Sequence, residues 1–109
     1  MSRKVVATPL FVHRLQAFLD EYAQIGAIRF VECMQHSYRG MIENIATFNE
    51  IAPARRRRVQ GKKITVREYV LDAGARDFLV LYYVPPNASD PVVLLNIRIG
   101  GQHHFQWQN

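Results

Sequence analysis

The 109-residue chain concentrates its positive charge in one short segment. Half of its fourteen lysine and arginine side chains fall within about an eighth of its length. These seven residues are Arg55, Arg56, Arg57, Arg58, Lys62, Lys63 and Arg67. A cluster of this kind attracts a polyanion or an acidic protein surface and speeds the encounter with it. A run of charges can also be only a solvated surface, but this degree of clustering favours a binding site for a target or a polyanion.

The histidines and the single cysteine offer little for metal or nucleophilic chemistry. His103 and His104 are neighbours, so on an extended tail their side chains point to opposite sides and form no close metal-binding pair. His13 and His36 fall in separate helical segments. We interpret Cys33 as a buried helix residue and not as a nucleophile. The sequence predicts no metal site and no cofactor.

Length and composition indicate one domain that spans residues 1–109. The 49% hydrophobic and 21% charged content is ordinary for a soluble globular protein. No apolar run approaches the roughly 20 residues that a transmembrane helix needs, and Val5-Val6-Ala7 is too short for the core of a signal peptide. One cysteine fits a reducing compartment. We therefore expect a cytoplasmic protein with no membrane contact.

Two helices are the first elements that must position these side chains. Residues 5–6 suggest a short strand, after which Thr8-Pro9 is typical of an N-cap followed by a first helical residue. Apolar residues then recur at three- and four-residue spacing over 11–22 and again over 28–48, which predicts two helices. Gly26 separates them. So short a link means that the helices fold back on each other as a hairpin.

Strands follow the helices, because the apolar period changes from about 3.6 to 2. Residues 64–70, 78–84 and 92–99 have the pattern of strands. Residues 78–84 are apolar on both faces and are expected in the centre of the sheet. Residues 55–60 predict a further strand, paired through a turn at Gly61.

This order of elements predicts an α+β fold. A short N-terminal strand precedes an α-helical hairpin, which packs on a C-terminal antiparallel β-sheet. The hairpin covers one face of the sheet, and an uncovered apolar face suggests a partner. We expect the partner interface at five residues, of which Phe105 and Trp107 could instead lock the tail onto the sheet. The five are Val92, Leu94, Arg98, Phe105 and Trp107.

Three strand segments resemble the ParE/RelE superfamily of type II toxins, in order and at similar spacing. They are Val66-Arg67-Glu68-Tyr69-Val70, Phe78-Leu79-Val80-Leu81-Tyr82-Tyr83-Val84 and Val93-Leu94-Leu95-Asn96-Ile97-Arg98-Ile99-Gly100-Gly101-Gln102. Thr8-Pro9-Leu10-Phe11 is similar to the family's step from the first strand into the first helix. The resemblance covers nearly the whole chain and implies a RelE/ParE-like fold.

The resemblance also implies partners and a target. A cognate antitoxin wraps such a toxin and neutralises it, as part of a toxin–antitoxin hetero-oligomer, and a homodimer is an alternative state. ParE-like members arrest growth by inhibiting DNA gyrase, are not known to need a catalytic residue and stabilise plasmids. RelE-like members are metal-independent mRNA interferases that act on the ribosome. For that activity the resemblance implies catalytic candidates at Arg67, His103, His104, Lys62 and Lys63.

Two departures from the RelE-like pattern favour gyrase inhibition. Leu79 stands where RelE-like enzymes place a catalytic arginine, and Gln102 stands at the position of their next arginine. Cleavage of RNA without a metal needs positive charge at the developing phosphorane, so the missing pair is hard to replace. A RelE-type interferase is the alternative. A non-toxic basic module that binds nucleic acid is the second alternative.

Overall fold

The computed structural model describes residues 2–74, 76–101 and 104–107. The described elements comprise five strands and two helices. In chain order they are β1 (Val5–Ala7), α1 (Pro9–Gln24), α2 (Ile28–Thr47), β2 (Ala54–Val59), β3 (Lys62–Asp72), β4 (Asp77–Tyr83) and β5 (Val92–Ile99). The α+β fold is confirmed, with its short N-terminal strand, helical hairpin and C-terminal sheet. Neither helix in the described part of the chain is long and apolar enough to cross a membrane.

The five strands form one sheet in the order β1-β5-β4-β3-β2. The last four strands form the predicted antiparallel sheet as a meander, and β1 adds a parallel strand beside β5. The middle position of β4 explains why its residues are apolar on both faces. Phe78, Val80, Leu81 and Tyr82 of this strand are all fully buried.

The helical hairpin is set by local signals at its start and at its bend. The Thr8 hydroxyl oxygen accepts a hydrogen bond from the Phe11 N–H at 3.1 Å, and Pro9 opens α1. Gly26 has a φ of 77°, a left-handed conformation that lets the chain reverse into α2. Both predicted helices are therefore confirmed.

The main core lies between the helices and one face of the sheet, which we call the inner face. Phe11 of α1 and Met34, Met41 and Ile45 of α2 are buried in this core. The register places one row of partners, Leu71, Phe78 and Ile99, on neighbouring strands of this face. We call the opposite side of the sheet the outer face.

The ends of the α2 stripe differ from the prediction. Ile28 and Phe48 continue the apolar pattern but are 57% and 63% exposed. Ile28 is the first residue of α2, and Phe48 follows its last residue. Cys33 is also exposed on α2, so its interpretation as a buried residue is wrong.

The expected exposure of Val92 and Leu94 is wrong, because β5 contains a β-bulge. Leu81 lies opposite Asn96, and the next residue of β4, Tyr82, lies opposite Leu94. One step along β4 therefore corresponds to two steps along β5, which is the pattern of a β-bulge. The extra residue moves Val92 and Leu94 onto the inner face. Their side chains are 0% and 1% exposed and belong to the core, not to a partner interface.

The C-terminal tail lies against β5 on the outer face. Arg98 lies on this face and is only 8% exposed, which removes it from the expected partner interface. Its guanidinium stacks on the Phe105 ring at 5.0 Å. The buried Asn96 side chain donates a hydrogen bond to the Gln106 carbonyl oxygen at 2.6 Å. Phe105 and its ring neighbour Trp107 are half-buried, so these contacts favour the tail lock over an exposed interface.

Candidate interaction surface

The predicted basic segment forms a two-stranded hairpin of β2 and β3. Gln60 and Gly61 join the strands, with φ values of 50° and 83°. Two successive positive φ values are the pattern of a type I′ turn, whose twist matches that of paired strands. Arg58 donates from Nη1 to the Gly61 carbonyl oxygen at 3.1 Å. The predicted strand over residues 55–60 and its turn at Gly61 are confirmed.

Alternation along β2 distributes the arginines between the two faces of the hairpin. Arg56 and Arg58 lie opposite Thr65 and Lys63, on the extension of the inner face. These four residues are exposed, because the helices do not cover this part of the sheet. Arg55, Arg57 and Lys62 lie on the outer side. Each side of the hairpin therefore carries cations.

The net positive charge of the protein lies in this hairpin, residues 54–68. It contains seven basic side chains and one carboxylate, Glu68, whereas the rest of the chain contains seven basic and eight acidic side chains. We call residues 54–68 the basic hairpin. Because the remainder is close to neutral, the electric field of the protein is centred on this one element.

One cation of the basic hairpin is compensated across its two strands. Arg57 forms an ion pair with Glu68, and its Nε donates to the carboxylate oxygen Oε1 at 2.9 Å. The Glu68 side chain is 12% exposed, so the pair is partly desolvated. It joins β2 to β3 and contributes little free positive charge.

Arg67 is engaged by the loop between α2 and β2. Its Nη1 donates to the Ala52 carbonyl oxygen at 2.7 Å and to the Glu50 carbonyl oxygen at 3.2 Å. Its Nη2 lies 3.6 Å from the Glu50 carboxylate. Opposite Arg67 on β4, the Tyr82 hydroxyl donates to the Asn49 carbonyl oxygen at 2.9 Å. Arg67 and Tyr82 together fasten residues 49–52 to the end of the sheet.

Five cations of the basic hairpin remain without a carboxylate partner within the described residues. They are Arg55, Arg56, Arg58, Lys62 and Lys63. All five are exposed. An anionic surface can bind these five cations without first breaking an internal ion pair.

The residues considered for RNA cleavage are distributed over both faces of the sheet. Arg67 belongs to the inner face, whereas the tail that carries His104 lies against the outer face. Lys62 and Lys63 are successive residues and point to opposite sides. Lys63 shares the face of Arg67 but lies four residues away, about 13 Å along the strand. His103 lies outside the described residues, and so does Gln102, which departs from the RelE-like pattern.

Burial shifts the pKa of one group beside Arg67. Loss of solvent raises the pKa of the Tyr82 hydroxyl, and the hydrogen bond from the Ala52 N–H and the nearby Arg67 charge oppose this rise. Tyr82 therefore stays a neutral hydrogen-bond donor at physiological pH. No group of three histidine, cysteine or acidic side chains that could hold a metal occurs in the described part of the chain.

No family model matches this chain, and no curated protein shows significant sequence similarity to it. The candidate surface is therefore characterised by its own geometry. It is an exposed hairpin with cations on both sides, and it projects from an α+β domain whose remaining charge is nearly balanced.

Proposed function

We propose that this protein is the toxin of a type II toxin–antitoxin system, of the ParE/RelE type. The observation that carries the proposal is the arrangement of the three segments that resemble this family. Their strand residues lie on β3, β4 and β5, which are neighbours in one sheet beside a helical hairpin. One fold supports several functions, so the mode of action depends on the surface residues and not on the architecture.

The surface supports action by binding. Exposed cations without carboxylate partners attract and orient an anionic target. Arg67, the arginine best placed by the resemblance for catalysis, is engaged with Ala52 and Glu50. Leu79 lies on the outer face between Val70 and Arg98 and supplies no positive charge there. Inhibition of DNA gyrase by binding, relieved by a cognate antitoxin, is the function that fits these features best.

Expression of the chain in a growing bacterium under a tightly regulated promoter tests this function. Incorporation of labelled thymidine and labelled methionine is followed over the first minutes after induction. We expect DNA synthesis to fall before protein synthesis. An early fall in protein synthesis with codon-positioned cuts in messages would instead identify an mRNA interferase, and unimpaired growth would refute the toxin assignment.

A charge-matched pair of variants links the arrest to the basic hairpin. Arg56→Glu/Arg58→Glu reverses two exposed cations of the hairpin and is expected to abolish growth arrest. Arg29→Glu/Arg39→Glu reverses two exposed cations of α2 and changes the net charge by the same amount. We expect this control to retain arrest, because α2 lies outside the proposed contact surface.

A further inference from the structure

We propose that the basic hairpin binds duplex DNA and enters the major groove as a two-stranded ribbon. This activity goes beyond the proposed function and does not depend on gyrase being the target. It is an interaction of the isolated chain with a nucleic acid. The distribution of charge on the hairpin, its dimensions and its stiffness support it.

The two-sided charge of the hairpin argues for a ligand with two anionic walls. Arg56, Arg58 and Lys63 project from one side of the ribbon, and Arg55 and Lys62 project from the other. A flat acidic protein surface, or an acidic peptide paired along one edge, meets only one of these sets. The major groove is bordered by a phosphate backbone on each side, so both sets find anions at once.

The dimensions of the hairpin fit this groove. Its two strands lie about 4.8 Å apart, which is less than the depth of about 8.5 Å of the major groove of B-form DNA. The ribbon can therefore enter this groove, about 12 Å wide, by its edge, with one charged side toward each phosphate backbone. Residues 56–65 have exposed side chains at most positions and form the free end of the ribbon. The major groove of A-form RNA is deep and narrow and excludes such an element, so duplex RNA is the poorer ligand.

The shape of the hairpin is set before it meets a ligand. The turn at Gln60 and Gly61, the bond from Arg58 to the Gly61 carbonyl and the ion pair between Arg57 and Glu68 all hold its strands together. A ribbon that is already ordered loses less conformational entropy on binding. Because the cations project from the two sides of the ribbon, toward the phosphate backbones, their contacts carry little sequence preference.

Salt dependence gives a quantitative test. Five cations that each neutralise one phosphate predict a slope of about −4.5 for log affinity against log salt concentration. The purified full-length chain is titrated into a fluorescently labelled 20-base-pair duplex of random sequence, and anisotropy is measured between roughly 50 and 200 mM salt, where such binding weakens most. A duplex RNA of the same sequence and a poly-glutamate peptide are added as competitors.

Variants of each side separate a groove contact from a one-sided contact. Arg56→Ala/Arg58→Ala and Arg55→Ala/Lys62→Ala should each make the slope less steep by about 1.8. Arg29→Ala/Arg39→Ala on α2 should leave it unchanged. Circular dichroism confirms that each variant is folded, and the exposure of the substituted side chains makes folding defects unexpected.

Three results would overturn the proposal. One is a slope near zero for the unmodified chain. Another is a slope that responds to variants of one side only, which would indicate a flat contact. The third is competition by duplex RNA or poly-glutamate as strong as that by duplex DNA. No gyrase is present, so failure here leaves the proposed toxin function standing, and loss of toxicity in cells leaves DNA binding standing.

Discussion

Replacement of Arg67 distinguishes a structural arginine from a catalytic one. Arg67→Ala removes two hydrogen bonds from a charged donor to the carbonyl oxygens of Ala52 and Glu50. Bonds to charged groups contribute about 1.5–3 kcal/mol each, and the lower value applies because the Arg67 side chain is 22% exposed. The Glu50 carboxylate is 72% exposed and adds little. The expected loss of unfolding free energy is about 3 kcal/mol.

Urea denaturation followed by circular dichroism measures this loss, and a fall in Tm of roughly 12 °C is expected alongside it. Arg56→Ala is the matched control, since Arg56 is exposed on the adjacent strand and should cost less than about 0.5 kcal/mol. Arg67→Lys keeps the charge but lacks the branched guanidinium that reaches both carbonyls, so it should give an intermediate loss.

One result would refute this reasoning about Arg67. If Arg67→Ala unfolds at the same urea concentration as the unmodified chain but no longer arrests growth, Arg67 acts on a substrate or a target. In that case Arg67→Lys should retain part of the growth arrest, because lysine partly replaces a phosphate-binding cation. A shared loss of stability and of growth arrest supports the structural role.

Three further perturbations test the fold around the two faces. Tyr82→Phe leaves the Asn49 carbonyl without its donor and should cost about 1–3 kcal/mol in urea titrations. Burial raises the Tyr82 pKa above its ordinary value of 10.0, so the unfolded chain loses this proton first and the free energy of unfolding should fall as pH rises above 10. Tyr82→Phe should show a shallower fall between pH 10 and about 11, because it has no hydroxyl to titrate. An unchanged fall would contradict this. Gly61→Ala places a side chain at a φ of 83° and should lower stability by about 1 kcal/mol, measured as Tm. Asn96→Ala removes the donor to Gln106, and chymotrypsin should then cut at Phe105 faster than in the unmodified chain; an equal rate would argue against the tail lock.

Features encoded within a few neighbouring residues could be predicted from the sequence. Thr8-Pro9 sets the start of α1 through one hydroxyl and one ring. The double-sided apolar pattern of residues 78–84 marked the central strand, because only a strand covered on both faces tolerates it. Gly61 marked the hairpin turn for the same local reason, since its φ is positive.

Features that depend on long-range register could not be predicted. The bulge in β5 adds one residue to an otherwise regular alternation, and nothing near Leu94 distinguishes it from a regular strand. Glu68 pairs with Arg57 on the neighbouring strand, whereas Arg67 turns to the loop between α2 and β2. Arg67 donates to backbone carbonyl oxygens. Because every residue has a backbone carbonyl, the sequence does not indicate which of them Arg67 will contact.

Arg3 shows the same limit in the loop between β4 and β5. Its guanidinium donates to the carbonyl oxygens of Pro85, Asn87 and Asp90 at 2.7–2.8 Å. It thereby holds the loop between β4 and β5 beside β1. The sequence identified that loop from its prolines, but the arginine that orders it lies more than eighty residues away.

Inhibition of DNA gyrase by the purified chain is the central claim, and a supercoiling assay tests it most directly. Gyrase and relaxed plasmid are incubated with rising amounts of the protein, and relaxation of supercoiled plasmid by a type I topoisomerase is measured in parallel. We predict that supercoiling stops while relaxation continues, and that Arg56→Glu/Arg58→Glu restores supercoiling. Unimpaired supercoiling at a large excess of protein would contradict the account, and so would equal inhibition of both enzymes at a salt concentration that suppresses binding to the plasmid.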